Sequence, residues 1–153
     1  MTVALVLPDR IITDSRLVWG RNHTVGKIFR CPNGSLFVTA GSGRLTYSFE
    51  KAMTAGEEPE GREVNEGEEF EGALLRPDGA IVLYDEDFTP SKVSESWATI
   101  GSGGDVARSW FMHRDEYHLT AEECVARVFE VRDDCGPPVV TVMLHEAKRR
   151  RRS

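Results

Sequence analysis

Apolar residues in this chain fall into short runs separated by turn-forming residues, and only a few stretches repeat them at helical spacing. Two such runs flank Pro8-Asp9, so residues 1–15 predict an opening β-hairpin that returns Asp14 towards the amino terminus. A polar connection, 16–25, precedes a strand over Lys27–Cys31. Pro32-Asn33-Gly34 then turns the chain into a second strand, Ser35–Ala40. Past Gly41-Ser42-Gly43 the spacing of Leu45, Phe49, Ala52 and Met53 predicts a helix over 44–55. Residues 56–71 are dense in Glu, broken by glycines and nearly free of apolar residues, and read as a solvated loop.

Pro77-Asp78-Gly79 joins two further strands, 73–76 and 80–84, into a hairpin. A loop through Pro90 leads to a short strand, 97–100, and to Gly101-Ser102-Gly103-Gly104. A helix follows over 105–116, with Val106, Trp110 and His113 on one side. Thr120 and Glu123 form a capping box for a last helix, whose stripe is Cys124, Val125, Val128 and Phe129. It stops before Gly136-Pro137-Pro138, and residues 139–144 form the final strand. The predicted order is four strands, a helix, three strands, two helices and a strand. Strands apolar on both faces suggest an α+β domain of two stacked sheets with helices outside.

Composition narrows the classes. With 153 residues, one domain over 1–147 is expected, followed by a basic, unstructured tail at 148–153. No apolar run is long enough to span a membrane, and the start lacks the basic region of a signal peptide. Cys31, Cys124 and Cys135 are odd in number and lack ligand spacing. They favour a reducing, cytoplasmic setting and argue against a structural zinc. The formal net charge of -6 argues against nucleic acid as the main partner.

The chemistry worth testing lies at strand ends. Thr2 is small enough for Met1 to be trimmed, and a free Thr2 would carry a nucleophilic hydroxyl beside its own base. That amine ordinarily titrates at about 7.7–8.0, and a nearby lysine would lower the value by like-charge repulsion. Such a lysine needs a carboxylate to hold it, and the oxyanion needs a backbone N–H. Thr2, Asp14, Lys27 and Gly41 supply these parts, each at the end of a different predicted strand.

Thr2, Thr13-Asp14-Ser15-Arg16, Lys27-Ile28-Phe29-Arg30, Thr39-Ala40-Gly41 and Ile100 to Gly104 occur in the order and rough spacing of proteasome-like peptidases. The chain most resembles the HslV type and its shorter phage and bacterial relatives, from Thr2 to about Leu144. The resemblance implies an N-terminal nucleophile (Ntn) hydrolase with a four-layer αββα sandwich and no cofactor. It implies Thr2 as nucleophile, its amine as base, Lys27 as the amine's partner, Asp14 as the orienter of Lys27, and the Gly41 N–H as oxyanion donor. Ser102 would relay the proton, and a last acidic residue falls at Asp133, with Asp134 one position away. The implied partners are copies of the chain in a ring, a polypeptide substrate and an ATP-dependent unfoldase. The family's second helix of the first pair is replaced here by the Glu-rich loop, so ring size and unfoldase do not carry over.

Each residue also has an ordinary reading: a turn aspartate, a solvated strand-end lysine, a helix-entry glycine loop. The order of the whole set favours a threonine peptidase. An inactive proteasome-like scaffold, with the acidic loop and basic tail as its working surfaces, is the alternative. An Ntn amidase for a small molecule would use the same residues.

Overall fold

The computed structural model describes residues 2–15, 28–61 and 64–145. In chain order they form β1 (Ala4–Leu7), β2 (Arg10–Thr13), β3 (Ile28–Arg30), β4 (Leu36–Gly41), α1 (Gly43–Thr54), β5 (Phe70–Leu75), β6 (Ile81–Tyr84), β7 (Pro90–Lys92), β8 (Ala98–Ile100), α2 (Gly104–Met112), α3 (Ala121–Val128) and β9 (Val140–Met143). All pairings are antiparallel. One sheet has the order β8-β1-β2-β9 and the other β3-β4-β5-β6-β7.

Strand alternation sorts the apolar residues into three buried layers. Ala4, Val6, Ile11 and Ile100 of the first sheet meet Leu36, Val38, Ala40, Ala73, Leu75 and Ile81 of the second. The opposite face of β1 and β2, with Leu5, Leu7 and Ile12, packs on Phe111 of α2 and on Cys124, Val125 and Val128 of α3. The outer face of the second sheet, with Phe37, Phe70, Val82 and Tyr84, packs on Leu45, Phe49 and Met53 of α1. The result is the expected four-layer αββα sandwich. Each large aliphatic or aromatic side chain so buried contributes about 1.5–3 kcal/mol of transfer free energy. The Thr120–Glu123 capping box is present in full and starts α3.

Three departures from the sequence expectation bear on the packing. Residues 90–92, expected in a loop, form the edge strand β7, where proline's missing N–H costs no ladder bond. Phe88, at φ 64°, brings the chain round, its ring buried against Phe49 and Phe70. The Glu-rich stretch ends two residues early, because Phe70 is buried on α1 and Glu71 is already in β5. Helix α2 closes at Met112, with hydrogen-bonded turns continuing to residue 118. Lys27 and the expected tail at 148–153 lie outside the described residues.

Candidate active site

The hairpin register sets the site. Ala4 pairs with Thr13, which leaves Thr2 and Val3 opposite Asp14 at the open end of β1 and β2. Thr2 is buried, and Asp14 is completely so. The Val3 N–H donates to Asp14 Oδ1 at 3.2 Å, and the Gly136 N–H donates to Oδ2 at 3.3 Å. The Asp14 N–H and the Thr13 hydroxyl both donate to the Val3 carbonyl, at 3.3 and 2.8 Å. Asp14 therefore anchors the amino-terminal backbone to the loop before β9. Hydrogen bonds to a charged carboxylate are the stronger kind, worth about 1.5–3 kcal/mol each. Ser15 reinforces the same junction, donating from its N–H to the Gly136 carbonyl at 3.1 Å and from its hydroxyl to the Pro138 carbonyl at 2.7 Å.

The Gly101–Gly104 turn wraps the Thr2 carbonyl. Gly101 has φ +91°, and a Cβ there would lie 1.9 Å from the Thr2 oxygen. Only glycine allows this approach. The Gly103 N–H donates to the same oxygen at 3.4 Å. Between them, the Ser102 hydroxyl donates to Asp134 Oδ2 at 2.8 Å.

Asp134 also receives Arg132 at 3.4 Å and the Cys135 thiol at 3.7 Å. Burial works to raise the Asp134 carboxyl. The hydrogen bonds from Ser102 and Arg132, with the charge of Arg132, outweigh it and hold the group below the ordinary aspartate value. The acidic residue that meets Ser102 is thus Asp134 and not Asp133, which is exposed. A turn follows α3, and successive side chains there point in different directions, so a slip of one residue exchanges an inward carboxylate for a solvated one.

Gly41 closes β4 opposite Phe70 of β5, at φ +130°, where a Cβ would lie 2.2 Å from the Glu69 carbonyl oxygen. Its neighbour Ala40 pairs with Glu71 of β5. Partial burial and the charges of Asp105, Glu69 and Glu86 push the Glu71 carboxyl up.

Of the residues singled out in the sequence, Thr2, Asp14 and Ser102 are joined at one end of the sandwich through the Thr2–Val3 backbone and the Gly101–Gly104 turn, and Gly41 lies at the end of β4. The Gly136 N–H, which donates to Asp14, has no mark in the sequence beyond the turn-forming Gly136-Pro137-Pro138 run. Among the described residues, no group of three or more His, Cys, Asp or Glu side chains is arranged to hold a metal.

No protein-family model matches the chain, and no curated protein matches it in sequence. Its fold is shared with solved structures. The structure of Thiobacillus denitrificans BPH in complex with epoxomicin superposes with a TM-score of 0.65 at 19% identity, covering 94% of this chain and 97% of that one. A second structure of Thiobacillus denitrificans BPH gives a TM-score of 0.65 at 18% identity over the same shares. Eukaryotic HslV from Trypanosoma brucei gives 0.58 at 13% identity, covering 93% and 97%. The sandwich is therefore of the HslV type, an Ntn hydrolase fold.

Proposed function

We propose that this chain is a threonine-type peptidase subunit that acts through Thr2 once Met1 has been removed. Thr2 Oγ1 adds to the substrate carbonyl carbon while its proton passes to the Thr2 amine, and the carbonyl π electrons move onto oxygen. The Gly41 N–H stabilises that oxyanion. When the tetrahedral species collapses, the C–N bond breaks, the leaving nitrogen takes the proton from the amine, and an ester remains on Thr2. Water then adds to the ester, with the same amine as base, and releases the acid. Lys27 lowers the basicity of the amine and Asp14 orients Lys27. Ser102, held by Asp134, assists the proton transfer. Asp134 rather than Asp133 is assigned this support, because its carboxylate is the one that meets Ser102.

One observation carries the reading. In an HslV-type sandwich, a buried Thr2 has its carbonyl clasped by a glycine turn and its neighbouring backbone held by a fully buried aspartate. The neighbour that binds epoxomicin adds support, because an epoxyketone reacts with both the hydroxyl and the amine of an N-terminal threonine. The cysteines fit a reducing cytoplasm: all three are buried, and burial pushes the Cys31 and Cys124 thiols up. Self-association into a ring and a polypeptide substrate belong to the same proposal.

The test begins with intact-mass spectrometry, which is expected to find the protein one methionine lighter. An epoxyketone should then label Thr2. Thr2→Ala should lower peptide cleavage by on the order of a thousandfold or more while leaving the circular dichroism spectrum unchanged. Cleavage that survives Thr2→Ala overturns the proposal. Full retention of Met1 leaves the nucleophile without its base and favours the inactive scaffold.

A further inference from the structure

The proposed reaction uses Asp134 to hold Ser102 but gives no part to Arg132, the cation that grips Asp134. Beyond α3 the chain makes a turn in which the Arg132 N–H donates to the Val128 carbonyl at 2.9 Å and the Cys135 N–H donates to the Arg132 carbonyl at 3.2 Å. This turn leaves Asp133 exposed, buries Cys135 and brings the side chains of Arg132 and Asp134 together. Arg132 Nε lies 3.4 Å from Asp134 Oδ1, and Nη2 lies 3.4 Å from Oδ2, the two-pronged match of a guanidinium to a carboxylate. The nearby Glu130 pairs with Arg127 instead.

Each carboxylate oxygen of Asp134 therefore has two donors. Oδ1 accepts from Arg132 Nε and from the Cys135 thiol at 3.7 Å, while Oδ2 accepts from Arg132 Nη2 and from the Ser102 hydroxyl at 2.8 Å. Cys135 in turn packs on the Gly101–Gly104 turn, its sulfur 3.2 Å from where a Cβ on Gly103 would stand. Rotation of the carboxylate would break hydrogen bonds at both of its oxygens. Ser102, with its proton committed to Oδ2, keeps its lone pairs for another donor.

We propose that Arg132 is a positioning residue: by gripping Asp134 with both prongs of its guanidinium, it fixes that carboxylate as the acceptor for Ser102 and so aligns Ser102 for the proton transfer at Thr2. Arg132 does not touch the reacting atoms. Its charge also opposes the cost of partly burying Asp134, in keeping with a carboxyl held below the ordinary aspartate value.

The alignment of Ser102 for Thr2 rests on the peptidase reading and the grip on Asp134 does not, so the experiment reads the two separately. Arg132→Gln, which removes the charge from a partly exposed side chain, is made in the full chain, alone and together with Ser102→Ala. The Asp134 carboxyl is followed by 13C NMR through an acid titration. Its midpoint should rise in Arg132→Gln, because Ser102 then opposes burial without the help of the cation. Epoxyketone labelling of Thr2 should slow about threefold in Arg132→Gln, the size expected of a partly exposed ion pair. In the Ser102→Ala background the same change should have no further effect, a result that a general loss of stability would not give. An Asp134 midpoint unmoved by Arg132→Gln overturns the proposal. An unchanged labelling rate does the same, as does equal slowing with and without Ser102, which would place the effect elsewhere. A wild-type protein that resists labelling overturns the peptidase reading instead, and the titration then judges the grip on Asp134 alone.

Discussion

Gly101 and Gly34 have the same φ of +91°, yet they are glycines for different reasons. A Cβ at Gly34 meets nothing within 4 Å, whereas one at Gly101 would lie 1.9 Å from the Thr2 carbonyl oxygen and 2.6 Å from its carbon. Gly34→Ala should therefore cost only the conformational penalty, about 1 kcal/mol. Gly101→Ala must also displace backbone, and the expected loss is about 3 kcal/mol or more. Urea midpoints of the two variants check the difference. Equal losses would mean that the Thr2 backbone yields easily, contrary to a clasped amino terminus.

Helix α1 is bound to β4 by more than its apolar stripe. The Thr39 hydroxyl, buried on β4, donates to Glu50 Oε1 at 3.1 Å. Burial pushes the Glu50 carboxyl up, and the Thr39 bond only partly opposes this. A carboxyl raised in the folded state binds its proton more tightly there than in the unfolded chain. The resulting stabilisation is complete below the ordinary glutamate value of about 4.3 and is lost as pH rises through the higher folded value. Glu50→Gln keeps an acceptor without the charge. Its Tm should exceed the wild-type Tm at pH 7, and the gap should close towards pH 4. Thermal melts at several pH values measure this, and a gap that widens in acid would refute the assignment.

At the scale of the molecule, two sheets share one apolar filling, and neither can bury its inner face alone. Leu36 is completely buried in that filling, on the sheet opposite Thr2. Leu36→Ala should cost about 2–5 kcal/mol. Trp97 and Trp110 pack with the α2–α3 layer, on the far side of the first sheet from Leu36. If the layers unfold together, tryptophan fluorescence and far-ultraviolet circular dichroism should shift to the same lower denaturant midpoint. Separate midpoints would mean that the layers come apart independently.

How much of this was legible beforehand depended on the range of the interaction. The hairpin at Pro8-Asp9, the α3 capping box and the short apolar strands follow from contacts between near neighbours in the chain. The sequence by itself therefore determined the element types, the layered class and the return of Asp14 to the amino terminus. Its likeness to HslV-type proteins rested on the order of Thr2, Asp14, Lys27, Gly41 and the Gly101–Gly104 turn. Tertiary structure alone decided which acid meets Ser102, because Asp133 and Asp134 have the same side chain and differ only in the direction the turn after α3 gives them. It also drew Pro90–Lys92 onto a sheet edge and Phe88 under α1, where long-range packing overrides turn propensity. Gly101 is the sharpest case: in sequence it is one glycine of a helix-entry loop, and only the tertiary structure presses it onto the Thr2 carbonyl at the other end of the chain, where a Cβ has no room.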